Sequence, residues 1–365
     1  MNRLRRNETG YALLFLAVFG FSIGVFFVYA LVRTVFFSFT DYDLFAEPNL
    51  IGLRNYLTLF TDDLFLIALR NTLGFAVVVT TVQTFLALVL ASVLNQKLRG
   101  ITFFRTVYYV PSILSSAAIT LIFLWLYQRG GFINFAVSWV WAHAPILLSF
   151  LALFALFQAV QVVWERRQGL PAAALDPALA AMSVLFAGLL TALLTLFGPV
   201  GVLEGVAFEQ TWLNTRETFL GLPVPLWAIM LQNIYTTIPT FMIIYLAGLQ
   251  DVPKSLYEAA AIDGATRAQQ FFRVTVPMLR PVTFLVVTLG LISTLQLFDQ
   301  VALFGDAAPL ESRVSLAFYV FRSAFPEGGA SRIGLASAAA LVLAAITLVI
   351  VLLQRRFGVS ERGYA

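Results

Sequence analysis

The sequence predicts an all-α fold, a polytopic membrane helix bundle of eight spans. Two observations carry this. Hydrophobic residues make up 60% of the chain and charged residues only 12%, with a mean hydropathy of +0.88. A soluble domain carries roughly a quarter charged residues. The apolar residues are also gathered into long stretches, and a span takes roughly 20 of them at the helical rise. The stretches run 11–32, 71–94, 106–128, 144–164, 178–203, 222–250, 282–304 and 333–353. The same composition excludes other classes. There are no cysteines, hence no disulfide, no thiol chemistry and no Cys-ligated metal. A net charge of +4 in such a chain reflects loop bias at a lipid bilayer, and nucleic acid is not an expected partner.

The first stretch follows Arg3, Arg5 and Arg6, as a signal peptide would. It is long for a signal core, and Ser38–Asp41 offers no small-residue cleavage site, so it reads as a retained helix. The fourth and fifth stretches are joined by Glu165-Arg166-Arg167-Gln168-Gly169-Leu170-Pro171, a basic turn rich in helix breakers. With the N-terminus placed in the cytoplasm, fifteen of the 23 Lys and Arg residues fall on the inside. They include Lys97, Arg99, Arg105, Lys254, Arg267, Arg273, Arg280, Arg355, Arg356 and Arg362. The positive-inside rule then places both termini, 1–10 and 358–365, in the cytoplasm.

Between spans six and seven lies EAAAIDGA, Glu258–Ala265, within a basic neighbourhood. Pro253 precedes it, and Ser255 with Glu258 has the spacing of a capping box. Alanine-rich Tyr257–Ile262 favours helix. Asp263-Gly264 breaks it, because glycine tolerates a left-handed backbone. A second short helix is expected over Thr266–Val274, with Pro277 and Pro281 bracketing the start of span seven. The product is a helix–turn–helix knob. On physical grounds alone it suits either a docked protein partner or the lipid headgroups.

The pattern Asp251-x-Pro253-x-x-Leu256-x-Glu258-Ala259-Ala260-x-x-Asp263-Gly264-Ala265, followed by Phe271, Pro277 and Pro281, resembles the EAA loop of binding-protein-dependent ABC importer permeases. Ser38-Phe39-Thr40-Asp41, Gly52-Leu53-Arg54-Asn55-Tyr56 and Arg70-Asn71-Thr72 are similar to the first loop of the carbohydrate-uptake, maltose-type branch. Phe104-Arg105 with Pro111, Ala247-Gly248-Leu249-Gln250, Tyr319–Phe325 and Gly334–Ala338 extend the likeness. The resemblance implies an importer subunit in the cell inner membrane. Glu258, Ala259, Ala260, Asp263, Gly264, Ala265 and Pro277 would form its coupling loop, within 251–281. It implies an ABC ATPase dimer below, a second permease subunit beside it and an extracytoplasmic solute-binding protein above. The solute it implies is a sugar, an oligosaccharide or a glycerol-phosphate-like polyol. Cofactors, ATP and Mg, belong to the separate ATPase. A P-loop needs Gly-Lys-Ser/Thr, whereas Lys97 follows Gln96 and Lys254 follows Pro253.

The family core has six spans, so two are extra. They read as a hairpin inserted at about 138–209, at the bundle periphery, between core segments of about 11–135 and 212–357. Gly305-Asp306-Ala307-Ala308-Pro309 departs from the branch's Gly-Gly-Pro turn. For the substrate path, intramembrane polar groups are the candidates: Asn233, Tyr235 and Thr236 near Pro239, and Gln296 with Asp299, which i,i+3 spacing puts on one helix face. Hydroxyl-rich ligands want hydrogen bonds and aromatic faces. The same residues also serve as helix–helix glue. Interfacial His143 reads as interfacial only, and Trp125, Tyr127, Trp139, Trp141 and Trp164 as an aromatic belt. A stand-alone secondary transporter is the rival, but such carriers bury paired ionisable groups. A zinc protease needs His-Glu-x-x-His, which a chain with one histidine cannot supply.

Overall fold

The computed structural model describes residues 15–95, 100–169, 173 and 176–358. Among them seven helices are long and apolar enough to cross a membrane: Phe15–Ser38, Asp63–Leu94, Ala144–Arg167, Pro177–Leu196, Val224–Gln250, Arg280–Ala307 and Ile333–Arg356. Arg105–Ile113 and Ser116–Leu126 make an eighth if taken as one broken span. The helical, multi-span architecture is as expected. The third span, expected to be continuous, bends by 102° between its halves. The first half, which contains Pro111, ends at Leu114, whose backbone is extended at φ −67° and ψ 143°. The expectations resting on Arg3, Arg5, Arg6, Lys97, Arg99, Leu170, Pro171 and Arg362 lie outside the described residues.

The chain divides into two compact units, Met1–Phe123 with Leu213–Ala365, and Leu124–Trp212. In the first, Asp63–Leu94 is central and packs against Val224–Gln250 and Arg280–Leu295. Its buried positions include Ala68, Asn71, Thr72, Phe75, Ala76, Val79, Thr80, Gln83 and Ala87, the three- and four-residue spacing of one helix face. Three polar members of that face, Asn71, Thr72 and Thr80, act as connectors. Asn71 Nδ2 donates to the carbonyls of Glu311 and Val314, each at 3.1 Å. Thr72 Oγ1 accepts the Leu316 N–H at 2.9 Å. Thr80 and Thr294 share a hydrogen bond at 3.2 Å.

This helix starts at Asp63, eight residues before the apolar stretch. Asp62 caps it, accepting the N–H groups of Leu64 and Phe65, as an Asp N-cap should. Its other carboxylate oxygen accepts the Tyr319 hydroxyl at 2.7 Å. Burial first, and the Asp62 carboxylate second, raise the Tyr319 phenol well above its ordinary value, so it stays a donor.

The first loop closes on the last span. Asn55 Nδ2 donates to Ser38 O and Thr40 O at 2.9 and 2.8 Å, and Tyr56 donates to Ser38 Oγ at 2.9 Å. Gly334, at the start of the last span, sits so close that a Cβ there would lie 2.0 Å from Thr40 O.

In the second unit, Ala144–Arg167 packs along Pro177–Leu196. Ser183 Oγ donates to Gln158 Oε1 at 2.8 Å in the buried seam, beside Val162 and Leu179. Asp176 caps the second of these helices. That helix ends at Leu196, short of the expected 203. A shorter helix, Phe132–Ala142, precedes both. Asn134 holds it to the returning chain, donating to Arg129 O and Gln210 O and accepting the Trp212 indole N–H.

Gly334→Ala is expected to cost about 3 kcal/mol, the scale of an overpacked contact, because the clash is with backbone. Gly24→Ala, with nothing within 4 Å, is the matched control in thermal unfolding of the detergent-solubilised protein. Asn71→Ala, which strands two carbonyls, is expected to lower stability by about 1–3 kcal/mol in the same measurement.

Candidate functional site

The Glu258–Ala265 stretch forms an exposed knob. Lys254–Ile262 is a helix with no buried residue, and Ile262 is 87% exposed. Glu258, Ala259, Asp263 and Gly264 are exposed, with Ala260 and Ala265 half-buried. The helix ends in a Schellman motif. Gly264 N–H donates to Ala261 O at 3.1 Å and Ala265 N–H to Ala260 O at 2.9 Å, with Gly264 at φ +76°. This is the left-handed position that glycine fills without a Cβ penalty.

The expected Ser255–Glu258 capping box does not form. The N-cap is Pro253, without a side-chain cap, because the helix starts one residue before Ser255 and leaves it inside the first turn. A capping box closes instead at the second helix. Gln269 N–H donates to Thr266 Oγ1 and Thr266 N–H to Gln269 Oε1. That helix, Arg267–Gln270, passes into a π turn, Phe271–Thr275, before Val276–Met278. Pro277 belongs to this last turn, and Pro281 lies in the first turn of Arg280–Leu295. Tyr257 and Thr275 share a hydrogen bond at 2.9 Å, which ties the knob's two arms together. Between them lies a concavity of about 300 Å³ bordered by Ala260, Asp263, Gly264, Gln269 and Arg273.

The knob's base is packed against span six. A Cβ at Gly248 would stand 2.6 Å from Val282 Cγ2 and 3.2 Å from Leu279 Cδ2. Gly248 therefore permits the close approach of Val224–Gln250 to the start of Arg280–Leu295. The sequence marks this residue only as part of the Ala247–Gln250 motif.

A cavity of about 440 Å³ lies where the third span breaks. Its wall carries Ser112 and Ser116 from the break, Thr236, Thr237 and Thr240 from span six, and Ser293 and Gln300 from span seven and beyond. Phe241, Ile119 and Leu289 supply apolar surface. Such a wall offers many hydrogen-bonding groups and no formal charge.

Of the five sequence candidates for a substrate path, Thr236 lines this cavity. Asn233 is buried and donates to Gln300 Oε1 at 3.1 Å, so it holds a cavity residue in place. Tyr235 is 51% exposed, its ring 5.8 Å from that of Phe123. Gln296 and Asp299 are exposed and do not share a helix face. The helix ends at Leu295, and a new one begins at Asp299, so the i,i+3 rule does not apply across the break. Thr237, next to Thr236 in the sequence, lines the cavity as well. The serines after Pro111 were legible as Pro-Ser-Ile-Leu-Ser-Ser, a breaker followed by small hydroxyls inside an apolar run.

The family described as "Binding-protein-dependent transport system inner membrane component" matches residues 83–360. The chain is 27% identical over 353 residues to the probable ABC transporter permease protein YesP of Bacillus subtilis, covering 95% of this chain and 89% of that one. It is 28% identical over 334 residues to the multiple sugar-binding transport system permease protein MsmF of Streptococcus mutans, covering 90% and 89%. It is 27% identical over 354 residues to the arabinooligosaccharides transport system permease protein AraP of Bacillus subtilis, covering 96% and 89%. In fold it resembles a chain from the crystal structure of a bacterial alginate ABC transporter in complex with alginate pentasaccharide-bound periplasmic protein. The TM-score is 0.67 at 20% identity, over 100% of this chain and 98% of that one. The chain is therefore a multi-pass membrane protein that belongs to the family of inner membrane components of binding-protein-dependent transport systems, a family of transport subunits rather than enzymes.

Proposed function

We propose that this chain forms part of the solute pathway of an ATP-driven importer for a neutral sugar or oligosaccharide, and that the Lys254–Gln270 knob couples it to a cytoplasmic ATPase. The observation that carries the reading is the knob itself. It is exposed, capped at its turn and at its second helix, cross-tied by Tyr257 and Thr275, and continuous through Pro277 with the seventh span. A rigid projection joined to a span without a loose linker transmits displacement. A flexible loop would absorb it.

In this reading the knob and both termini face the cytoplasm, as the basic-residue bias predicts. Two ATPase copies, which supply ATP and Mg chemistry, sit beneath this chain and a second permease subunit. A solute-binding protein delivers the ligand at the other face. The mechanism is alternating access, with ATP-driven closure of the ATPases moving the knobs and turning the cavity outward. The sugar assignment draws on relatives named for sugar, lactose and arabinooligosaccharide transport, and on the chemistry of the 440 Å³ cavity. Hydroxyls and one amide beside an aromatic ring suit an uncharged, hydroxyl-rich solute.

Gly264→Pro is expected to leave the chain in the membrane and to uncouple ATP hydrolysis from uptake, because proline is locked near φ −65° and cannot reach +76°. Uptake falling by about ten-fold or more, with ATP hydrolysis retained in proteoliposomes, is the expected result; wild-type uptake would end the coupling assignment. Thr237→Val, which keeps volume and removes a hydroxyl from the cavity, is expected to weaken uptake of a good solute by about five- to ten-fold, the scale of one hydrogen bond. Unchanged uptake kinetics would place the pathway elsewhere.

A further inference from the structure

A second cavity, of about 500 Å³, opens at the end of the seventh span remote from the Glu258–Ala265 turn, since that span runs from Arg280 to Ala307. Cavities of about 300–1,000 Å³ are the usual size for small-molecule sites. One wall comes from the Leu316–Ala324 helix and its cap, which bring Phe318, Phe321 and Phe325 to the cavity. Successive ring centroids are 6.4 and 5.5 Å apart. Phe321 is 44% and Phe325 59% exposed, and charged residues stand around them at the same cavity. An exposed apolar patch rimmed by polar groups is a mark of a binding surface.

The rest of the wall is charged. Asp306, Arg313, Arg322 and Glu327 all border the cavity, two acids and two bases, so their charges cancel. Yet no ion pair joins these four. Arg313 is only 6% exposed. Its Nε donates to Ala308 O at 3.3 Å and its Nη1 to Val301 O at 2.9 Å, and it lies 4.9 Å from the Phe318 ring centroid. A guanidinium has five N–H groups, so donors remain beyond the two used. A buried cation without a paired carboxylate needs further acceptors. Planar acids and guanidinium groups suit sugar hydroxyls, which both donate and accept. Exposed phenyl faces suit the C–H faces of a sugar ring. A charge sum of zero favours a neutral ring over a uronate.

We propose that this cavity is a reception subsite for one neutral sugar ring of the transported saccharide, seated on Phe321 and Phe325 and hydrogen-bonded by Arg313, Arg322, Asp306 and Glu327. It rests on the saccharide reading above and adds a site distinct from the cavity at the broken third span.

The test uses the importer purified with its own partners in nanodiscs. Saturation-transfer NMR is recorded with maltotriose, xylotriose and arabinotriose, and with trigalacturonate as the acidic comparison. Uptake of the same sugars is measured in cells. In the wild type at least one neutral trisaccharide is expected to be taken up and to show ring-proton transfer. Phe321→Ala is expected to weaken binding about five-fold, the scale of one lost aromatic contact. Arg322→Gln is expected to weaken it about three-fold, the scale of one exposed polar contact. Both side chains are exposed, so neither change opens a core cavity. Wild-type uptake with undiminished transfer in both variants overturns the subsite and leaves the saccharide reading standing. Stronger transfer to trigalacturonate overturns its neutrality. Absence of uptake and transfer for every saccharide in the wild type overturns the saccharide reading itself, and the subsite with it.

Discussion

The polar face of Asp63–Leu94 is the constraint on which the rest of the first unit depends. Within a bilayer little water is at hand to satisfy an amide or hydroxyl, so a partner in the protein strongly stabilises such a group. Asn71 and Thr72 find theirs in backbone groups of Glu311, Val314 and Leu316, and Thr80 finds Thr294. These bonds bring residues more than two hundred positions apart into register and dock the segment after span seven on the central helix. Asp62 adds an anchor at the same end, capping the helix with one oxygen and holding Tyr319 with the other. The Leu316–Ala324 helix and its aromatic strip take their position from this set of contacts.

The breaks in helix are as informative as the helices. The third span bends after Ile113, the seventh breaks between Leu295 and Asp299, and the knob turns at Gly264. In lipid, interrupted backbone is tolerated where protein or a cavity surrounds it. The first two breaks contribute Ser112, Ser116 and Gln300 to one cavity wall. The third is a left-handed turn at Gly264 that ends the first short helix before the second begins. The interruptions after Ile113, after Leu295 and at Gly264 are thus punctuation in a chain that composition alone would make continuous.

Mechanical continuity links these sites. The knob passes through a π turn and Pro277 into span seven without an unstructured linker. At that junction Gly248 lets spans six and seven touch, so a push on the knob acts on both. Span six carries Thr236, Thr237 and Thr240, and span seven carries Ser293. The knob lies between the two helices that carry these cavity hydroxyls.

By itself the sequence determined the class, the number of apolar stretches and the existence of the knob. Hydrophobic length and the glycine-terminated alanine helix are local properties, and local physics reads them. It also marked Thr236 and Asn233, because amides and hydroxyls inside an apolar run are conspicuous. Tertiary structure alone decided the rest. Whether Ser255 or Thr266 closes a capping box depends on where the helix starts. Whether Gln296 and Asp299 share a face depends on a break that no periodicity records. That Asn233 holds Gln300, that Gly334 abuts Thr40, and that Arg313 lies buried beside Phe318 follow from contacts between distant segments. Such contacts are set by how the spans pack, and composition is blind to packing.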